Sequence, residues 1–382
     1  MTAAVHRLAP PAVALLAVLA FASPAGAQSS LDAEYRLAPQ WTQYRIDAPV
    51  DLTVSELAIP LFVSMPMGSR ASFDIGTAYA RAQVSSGADR SDISGLTDVQ
   101  LRAQYTLGSD RLVLTGGINL PTGSASVSPD QLVAATLIGS DFLAFPVSNM
   151  GTGLAVTGGV AMAYPLGAWN LGVGASVRRS RAYQPFDVPG ESFRYQPGDE
   201  VRLRLGVDRP VGEGRLALGA TYAAFGHDDA GGFAYNTGDR VIALGELTGR
   251  LGEHDYTVAA YNVFRAPGSY ASGDRAGREN IANLFLSLGV HTLRTVLEPS
   301  LELRHWLQNV YDVGVTTGSA RSQSSQLATI GLRARIDAGA LELFPSGGYT
   351  AFGRLATTDD ADLPVQAGLS GFHLGLVVRA SR

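Results

Sequence analysis

The sequence predicts an all-β protein: a single transmembrane antiparallel up-and-down β-barrel of about 16 strands (about 14 as the fallback), with short periplasmic turns and long extracellular loops. Three observations predict it. The N-terminus reads as an export signal. The rest of the chain alternates apolar and polar residues over one segment after another. The connections between those segments alternate between short and long.

The export signal spans Met1 to Ala27. His6 and Arg7 form a short basic region, Ala12 to Ala22 an apolar one, and Ala25-Gly26-Ala27 offers the small residues a signal peptidase needs, so cleavage is expected before Gln28. The apolar stretch is too short to span a bilayer as a helix, and Pro10, Pro11 and Pro24 bracket it. The expected organisation is a signal peptide at 1–27 and one outer-membrane barrel domain at 28–382. After Ala27 no apolar run approaches the roughly 20 residues that a membrane helix requires.

Strict alternation marks a strand with two different faces. Val99, Leu101, Ala103, Tyr105 and Leu107 alternate with Asp98, Gln100, Arg102, Gln104 and Thr106. Val201, Leu203, Leu205 and Val207 alternate with Arg202, Arg204, Gly206 and Asp208, and Ala328, Ile330, Leu332, Ala334 and Ile336 with Thr329, Gly331, Arg333, Arg335 and Asp337. A soluble β-sandwich alternates too. Here, however, the strands form hairpin pairs along nearly the whole chain, and their polar face is small and charged.

The loops carry the second half of that distinction. The short connections are Pro66–Arg70, Gly108–Asp110, Pro165–Gly167, Pro210–Gly214, Gly252–Glu253, Leu293–Arg294 and Ala338. The long ones are Ser85–Ser94, Ser124–Gly151, Tyr183–Asp199, His227–Asp239, Ala266–Asn280, Val310–Ser325 and Leu355–Leu369. Outer-membrane barrels show this asymmetry. Both the segment starting at Leu52 and the last one descend toward the short-turn end. An even count therefore needs one strand before Leu52, and Tyr35 to Ile46, interrupted by Pro39, supplies it.

Energetics orients the faces. An Arg on the lipid face at the bilayer midplane costs about 2–4 kcal/mol, so charged strands pin their own register. The pore-lining set is therefore Arg102, Arg178, Arg202, Arg204, Glu246, Glu298, Glu302, Arg304, Arg333 and Arg335. Arg178, Arg202 and Arg204 fall on one wall near the long-loop end, Glu298 and Glu302 on another. Such charges either tune ion selectivity or pair with acids such as Asp208 and stiffen the wall. Trp41, Tyr164, Trp169, Tyr222, Tyr256, Trp306 and Tyr349 sit where interfacial aromatic girdles are expected.

One loop is unlike the others. Ser124 to Gly151 opens a short helix at Pro129, with Ser128 as its N-cap, and carries Leu132, Val133, Leu137, Ile138, Phe142, Leu143 and Phe145. That apolar content must be buried, either in the pore mouth or against neighbouring loops or a second subunit. Leu132, Phe142 and Phe145 are the candidate constriction residues.

Composition removes other function classes. The chain of 382 residues has 29 basic residues, all Arg, against 34 acidic ones; loss of Arg7 with the signal peptide leaves 28 against 34, a charge of −6. That balance argues against nucleic acid as a partner. With no Cys, disulfides contribute nothing. The acid pairs Asp228-Asp229 and Asp359-Asp360 lack cation-loop spacing, so neither metal nor cofactor is expected. None of His227, His254, His291, His305 and His373 stands in a nucleophile motif, so no enzyme is expected, with an outer-membrane hydrolase the least favoured alternative.

The residues Ser94-Gly95-Leu96-Thr97-Asp98-Val99, then Tyr105, then Gly117 through Leu120-Pro121-Thr122-Gly123 resemble the core pattern of an outer-membrane transporter family associated with phenol meta-pathway degradation. The likeness covers Leu52 to Gly123. It implies a barrel that passes small, hydrophobic or aromatic organic molecules, with no catalytic residues to carry over. The functional expectation is a channel for passive uptake of small solutes. The alternative is a structural or surface-interaction barrel with a closed lumen. Expected partners are outer-membrane lipid and lipopolysaccharide, the barrel-assembly machinery and a small-molecule solute.

Overall fold

The structure is a computed structural model that describes residues 33–47, 51–108, 111–190, 192–270, 277–292, 295–310, 321–358 and 364–381. The expected signal peptide lies outside them. Hydrogen bonding joins 18 segments into one antiparallel sheet; two strands are interrupted, so 18 − 2 gives a closed barrel of 16 strands.

The strands are β1 (Glu34–Leu37 and Gln40–Ile46), β2 (Leu52–Met67), β3 (Ala71–Ser86), β4 (Asp89–Leu96 and Val99–Leu107), β5 (Leu112–Leu120), β6 (Ala155–Leu166), β7 (Trp169–Ser180) and β8 (Glu200–Val211). They continue as β9 (Gly214–Phe225), β10 (Arg240–Leu251), β11 (His254–Arg265), β12 (Glu279–His291), β13 (Val296–Val310), β14 (Arg321–Ala338), β15 (Leu341–Thr358) and β16 (Pro364–Ser381). Each strand pairs with its sequence neighbours, and β1 closes the ring by pairing with both β2 and β16. Pro39 breaks β1, since proline has no N–H to donate to a ladder, but both halves keep the same two partners.

Among the described residues, the turns at the lower end, where the short connections lie, are tight. Gly167 and Gly252 open the two-residue turns into β7 and β11 with φ of +64° and +65°, backbone that a side chain would strain. At the upper end some expected loops are shorter. Ser85–Ser94 collapses to a turn between Ser86 and Asp89, and most of Leu355–Leu369 is strand. The cause is that strands run past the apolar band. In Ser86–Ser91 both faces are polar, and in Val365–Leu369 the apolar Ala367 and Leu369 turn inward instead of outward, so the outward apolar alternation stops while the hydrogen-bond ladder persists.

Leu203, Leu205, Ile330, Leu332 and Leu374 are exposed on the outer surface, which is the arrangement an apolar surround stabilises. The opposite face is fixed by the ladder, because directly paired residues share a side. Arg204, Thr221, Ile242, Val263, Ile281 and Trp306 form one continuous row across β8 to β13, and Trp306 stacks on Phe142 inside the ring. Trp306 therefore points inward, not into an outer aromatic girdle. The outward Trp41, Tyr222 and Tyr349 share rows with exposed Leu57, Leu203 and Ile330.

Above the upper end, Tyr195–Gln196, Asp228–Ala230, Phe233–Asn236 and Ser269–Tyr270 form a small antiparallel sheet from the loops after β7, β9 and β11. Asp228, in that sheet, is buried and accepts from the Tyr195 hydroxyl and the Gly198 N–H, both at 2.6 Å. Burial, and then the neighbouring Asp228, push the Tyr195 phenol above the ordinary tyrosine range.

Candidate functional site

The connection between β5 and β6, residues 121–154, does not stay outside the barrel. Pro129–Gln131 makes one 3-10 turn, with the Gln131 side-chain oxygen accepting the Ser128 N–H at 3.2 Å, and Leu132–Ile138 continues as α1. Ala134 and Ile138 on α1, then Phe142, Leu143, Phe145, Val147 and Met150, are buried. They pack on an inner wall whose residues on β2 and β3 are small: Ala58, Ala78, Ala80 and Ala82, with Val54 and Val84. Alanine there lets the loop approach the wall closely.

The loop is fixed at both roots by one side chain. Asp98, at the interruption of β4, is 5% exposed. Its carboxylate accepts from Gly123 N–H at 3.0 Å at the start of the loop, and from Thr152 and Gly153 N–H at 2.7 and 3.1 Å at its end. Thr97 and Thr122 complete the knot by accepting the Ala78 and Val99 N–H groups at 2.9 and 2.8 Å. A Cβ on Gly123 would stand 2.0 Å from the Met150 carbonyl oxygen, so only glycine fits. The segment Thr97-Asp98 and the segment Pro121-Thr122-Gly123 are thus two halves of one device.

From this root the loop crosses the ring. On one side Val147 N–H donates to Glu56 on β2 at 3.3 Å, and the Ser91 hydroxyl on β4 donates to the Asp130 carbonyl. On the other side Asp141 meets Arg240 on β10 at 4.0 Å and Arg265 on β11 at 3.3 Å. In a ring of 16, β2 and β10 stand eight strands apart, as do β3 and β11, so the loop lies along a diameter.

It fills one of the two halves so defined. Phe142 stacks on Trp306 of β13 at 5.8 Å and Phe145 meets Tyr44 of β1 edge-on at 5.6 Å. Leu327, Ala367 and Leu369 are buried in the same cluster, and Arg304 donates to the Phe142 carbonyl. The other half, bounded by β4 to β8, keeps a cavity of about 460 Å³. Its lining includes Gln104, Asn119, Thr157 and Ser176 besides the arginines of that wall.

Every candidate pore-lining residue lies on the inward face. Arg102, Gly117, Thr157, Arg178 and Glu200 form one row; Glu246, Ala259, Phe285, Glu302 and Thr329 form another. Only some come together. Arg102, Arg178, Arg202 and Arg204 share the open cavity. Glu302 pairs with Arg304, Glu298 with Arg333, and Arg335 with Glu342 at 2.9 Å near the lower end. Arg202 pairs with Glu200 next to it; Asp208, the acid considered for that role, pairs with Arg215 at 3.1 Å instead. Of the constriction candidates, Phe142 and Phe145 are buried and Leu132 is exposed at the start of α1. Asp98, Asp141, Arg240 and Arg265 were not singled out from the sequence as site residues. The acid preceding an alternating segment and the two arginines at strand ends were the available signals.

His291 contacts Asp255 at 2.7 Å near the lower end, while His373 faces the lumen beside Gly348. Among the described residues no group of His, Asp and Glu could hold a metal ion.

No family model matches the chain, and no curated protein sequence matches it. Similar solved structures include an outer-membrane channel from Pseudomonas putida F1, 14% identical over 94% of this chain and 99% of that one, with a TM-score of 0.38. The TodX monoaromatic hydrocarbon channel carrying a deltaS2 mutation is 9% identical over 93% of this chain and 91% of that one, TM-score 0.45. OmpT, an outer-membrane protein of Vibrio cholerae, is 11% identical over 93% and 99%, TM-score 0.43. Likeness this distant assigns neither a solute nor an activity to this chain.

Proposed function

We propose that the protein is an outer-membrane channel for passive passage of small solutes, exported with cleavage of residues 1–27. The observation that carries this reading is a closed 16-strand barrel with an apolar outer face and an inner face of arginine, carboxylate, amide and hydroxyl groups. Barrels of about this strand number leave room for water inside, where barrels of about eight are filled by their own side chains. The motif around Asp98 and Gly123, in its likeness to transporters of phenol meta-pathway degradation, favours small aromatic compounds as the solute class. Lipid and lipopolysaccharide surround such a barrel, and the barrel-assembly machinery inserts it.

A second reading, a structural barrel with a closed lumen, has the diametric loop in its favour. Current across a planar bilayer separates the two. The channel reading expects steady single-channel current from protein whose gel mobility changes on boiling, and a larger current after deletion of Gln131 to Asn149. Folded protein without current in either form refutes it.

A further inference from the structure

We propose that the open half of the lumen is a subsite for small organic anions of the carboxylate class, held by the guanidinium groups of Arg178 and Arg204. The proposal deepens the channel reading and rests on it.

The loop decides where a solute can pass. It buries its apolar side chains against β1 to β3, β13, β14, β16 and the Asp89–Leu96 half of β4, and leaves uncovered the wall from the Val99–Leu107 half of β4 to β8. What remains open is therefore the arginine wall and not an average of the lumen. The two walls also differ in charge balance. Across the ring the guanidiniums of Arg304 and Arg333 are matched by Glu302 and Glu298. On the open wall Glu200 is the one acid that lines the cavity; it is buried, and its carboxylate is on Arg202. Arg102 bonds to Gln100 and has Asp74 as its ladder neighbour. Arg178 and Arg204 form no ion pair among the described residues.

Geometry keeps these two available. Arg204 stands in the ladder between Gly174 and Thr221, so no large side chain covers it. Arg178 lies on the adjacent strand, opposite Glu200, within reach of the same cavity. Like charges on neighbouring strands repel, and an anion between them removes that cost. A guanidinium fork matches a planar carboxylate with two parallel hydrogen bonds, which a point cation does not. Asn119, Thr157 and Ser176 offer neutral donors for the remainder of the solute. An uncharged hydrocarbon has no use for this wall.

The test uses the full-length folded protein in planar bilayers. In a potassium chloride gradient the parent channel is expected to prefer chloride. Arg178→Gln with Arg204→Gln is expected to lower the chloride-to-potassium permeability ratio by about fivefold or more, the factor that one unit charge at contact distance is worth even in water. Potassium benzoate set against potassium chloride then reads the carboxylate itself. Arg178→Lys with Arg204→Lys should keep the chloride preference and lose benzoate permeability relative to chloride. Gel mobility before and after boiling confirms that each variant is folded. A conducting parent that prefers potassium, or a folded double Gln variant with an unchanged ratio, overturns the subsite while leaving the channel reading intact. Parent channels that carry chloride but no benzoate overturn the carboxylate assignment. Absence of any current overturns the channel reading itself, and the subsite with it.

Discussion

Replacing Asp98 by Ala should release the loop without opening the barrel. Asp98 accepts three backbone N–H groups, from Gly123, Thr152 and Gly153, at 3.0, 2.7 and 3.1 Å. Hydrogen bonds to a charged group contribute about 1.5–3 kcal/mol each, so three set an upper bound of roughly 5–9 kcal/mol. The loss stays below that bound, because the freed amides reach water once the loop lifts. It falls on the loop alone, because none of the three amides belongs to the ladder that closes the ring. A loss of at least about 3 kcal/mol raises the open fraction of the loop by more than about a hundredfold. Chymotrypsin measures it, since Phe142 and Leu143 are buried cleavage sites and residues 121–154 contain no Arg for trypsin. Cleavage within 121–154 should accelerate, single-channel current should rise, and heat-dependent gel mobility should be retained. Asp98→Asn keeps one acceptor oxygen and turns an N–H₂ toward the other amides, so it should fall between the two. Equal cleavage rates for Asp98→Ala and the parent would refute the clamp.

Three further outcomes are expected. Phe142→Ala removes a ring that is 1% exposed and stacked on Trp306, at a cost of about 3–5 kcal/mol to loop docking, read as a red shift of Trp306 emission; an unshifted spectrum contradicts the packing. Gly123→Ala forces the Met150 carbonyl away from 2.0 Å and should reproduce the Asp98→Ala cleavage and current, so parent-like behaviour would show that the root is not close-packed. Tyr195 has its phenol pKa raised by burial first and by Asp228 next, so the neutral form stabilises the upper loop sheet below the ordinary tyrosine pKa of 10.0, and that contribution is lost only as pH rises through the higher folded value. An ultraviolet phenolate titration of Tyr195→Phe should therefore match the parent through the ordinary tyrosine range; a missing tyrosine's worth of amplitude near pH 10.0 would show that Tyr195 titrates normally.

Much of this molecule is legible in its sequence. Alternation in Val201–Asp208 and Ala328–Asp337 decides both that these are strands and which face is inward, because the period of two leaves one register in which no arginine meets an apolar surround. The short turns follow from the same residues, and closure at 16 strands from the requirement that both ends of the ring lie at the same side. Three things needed the tertiary structure. Beyond the apolar band the apolar residues of a strand can face inward, as Ala367 and Leu369 do, so Leu355–Leu369 is mostly ladder although its pattern breaks from that of the strand below it. Trp306 shares the inward face of Glu302 and Arg304 by the same period of two, and what the tertiary structure supplies is its partner there, Phe142. And the direction of the 121–154 loop depends on contacts to strands eight places apart in the ring, Glu56 on β2 on one side and Asp141 with Arg240 on β10 on the other. Apolar content dictates that such a loop is buried. Which half of the lumen it fills, and hence which arginines remain open to a solute, is a matter of shape complementarity between side chains far apart in sequence, and no local pattern encodes that.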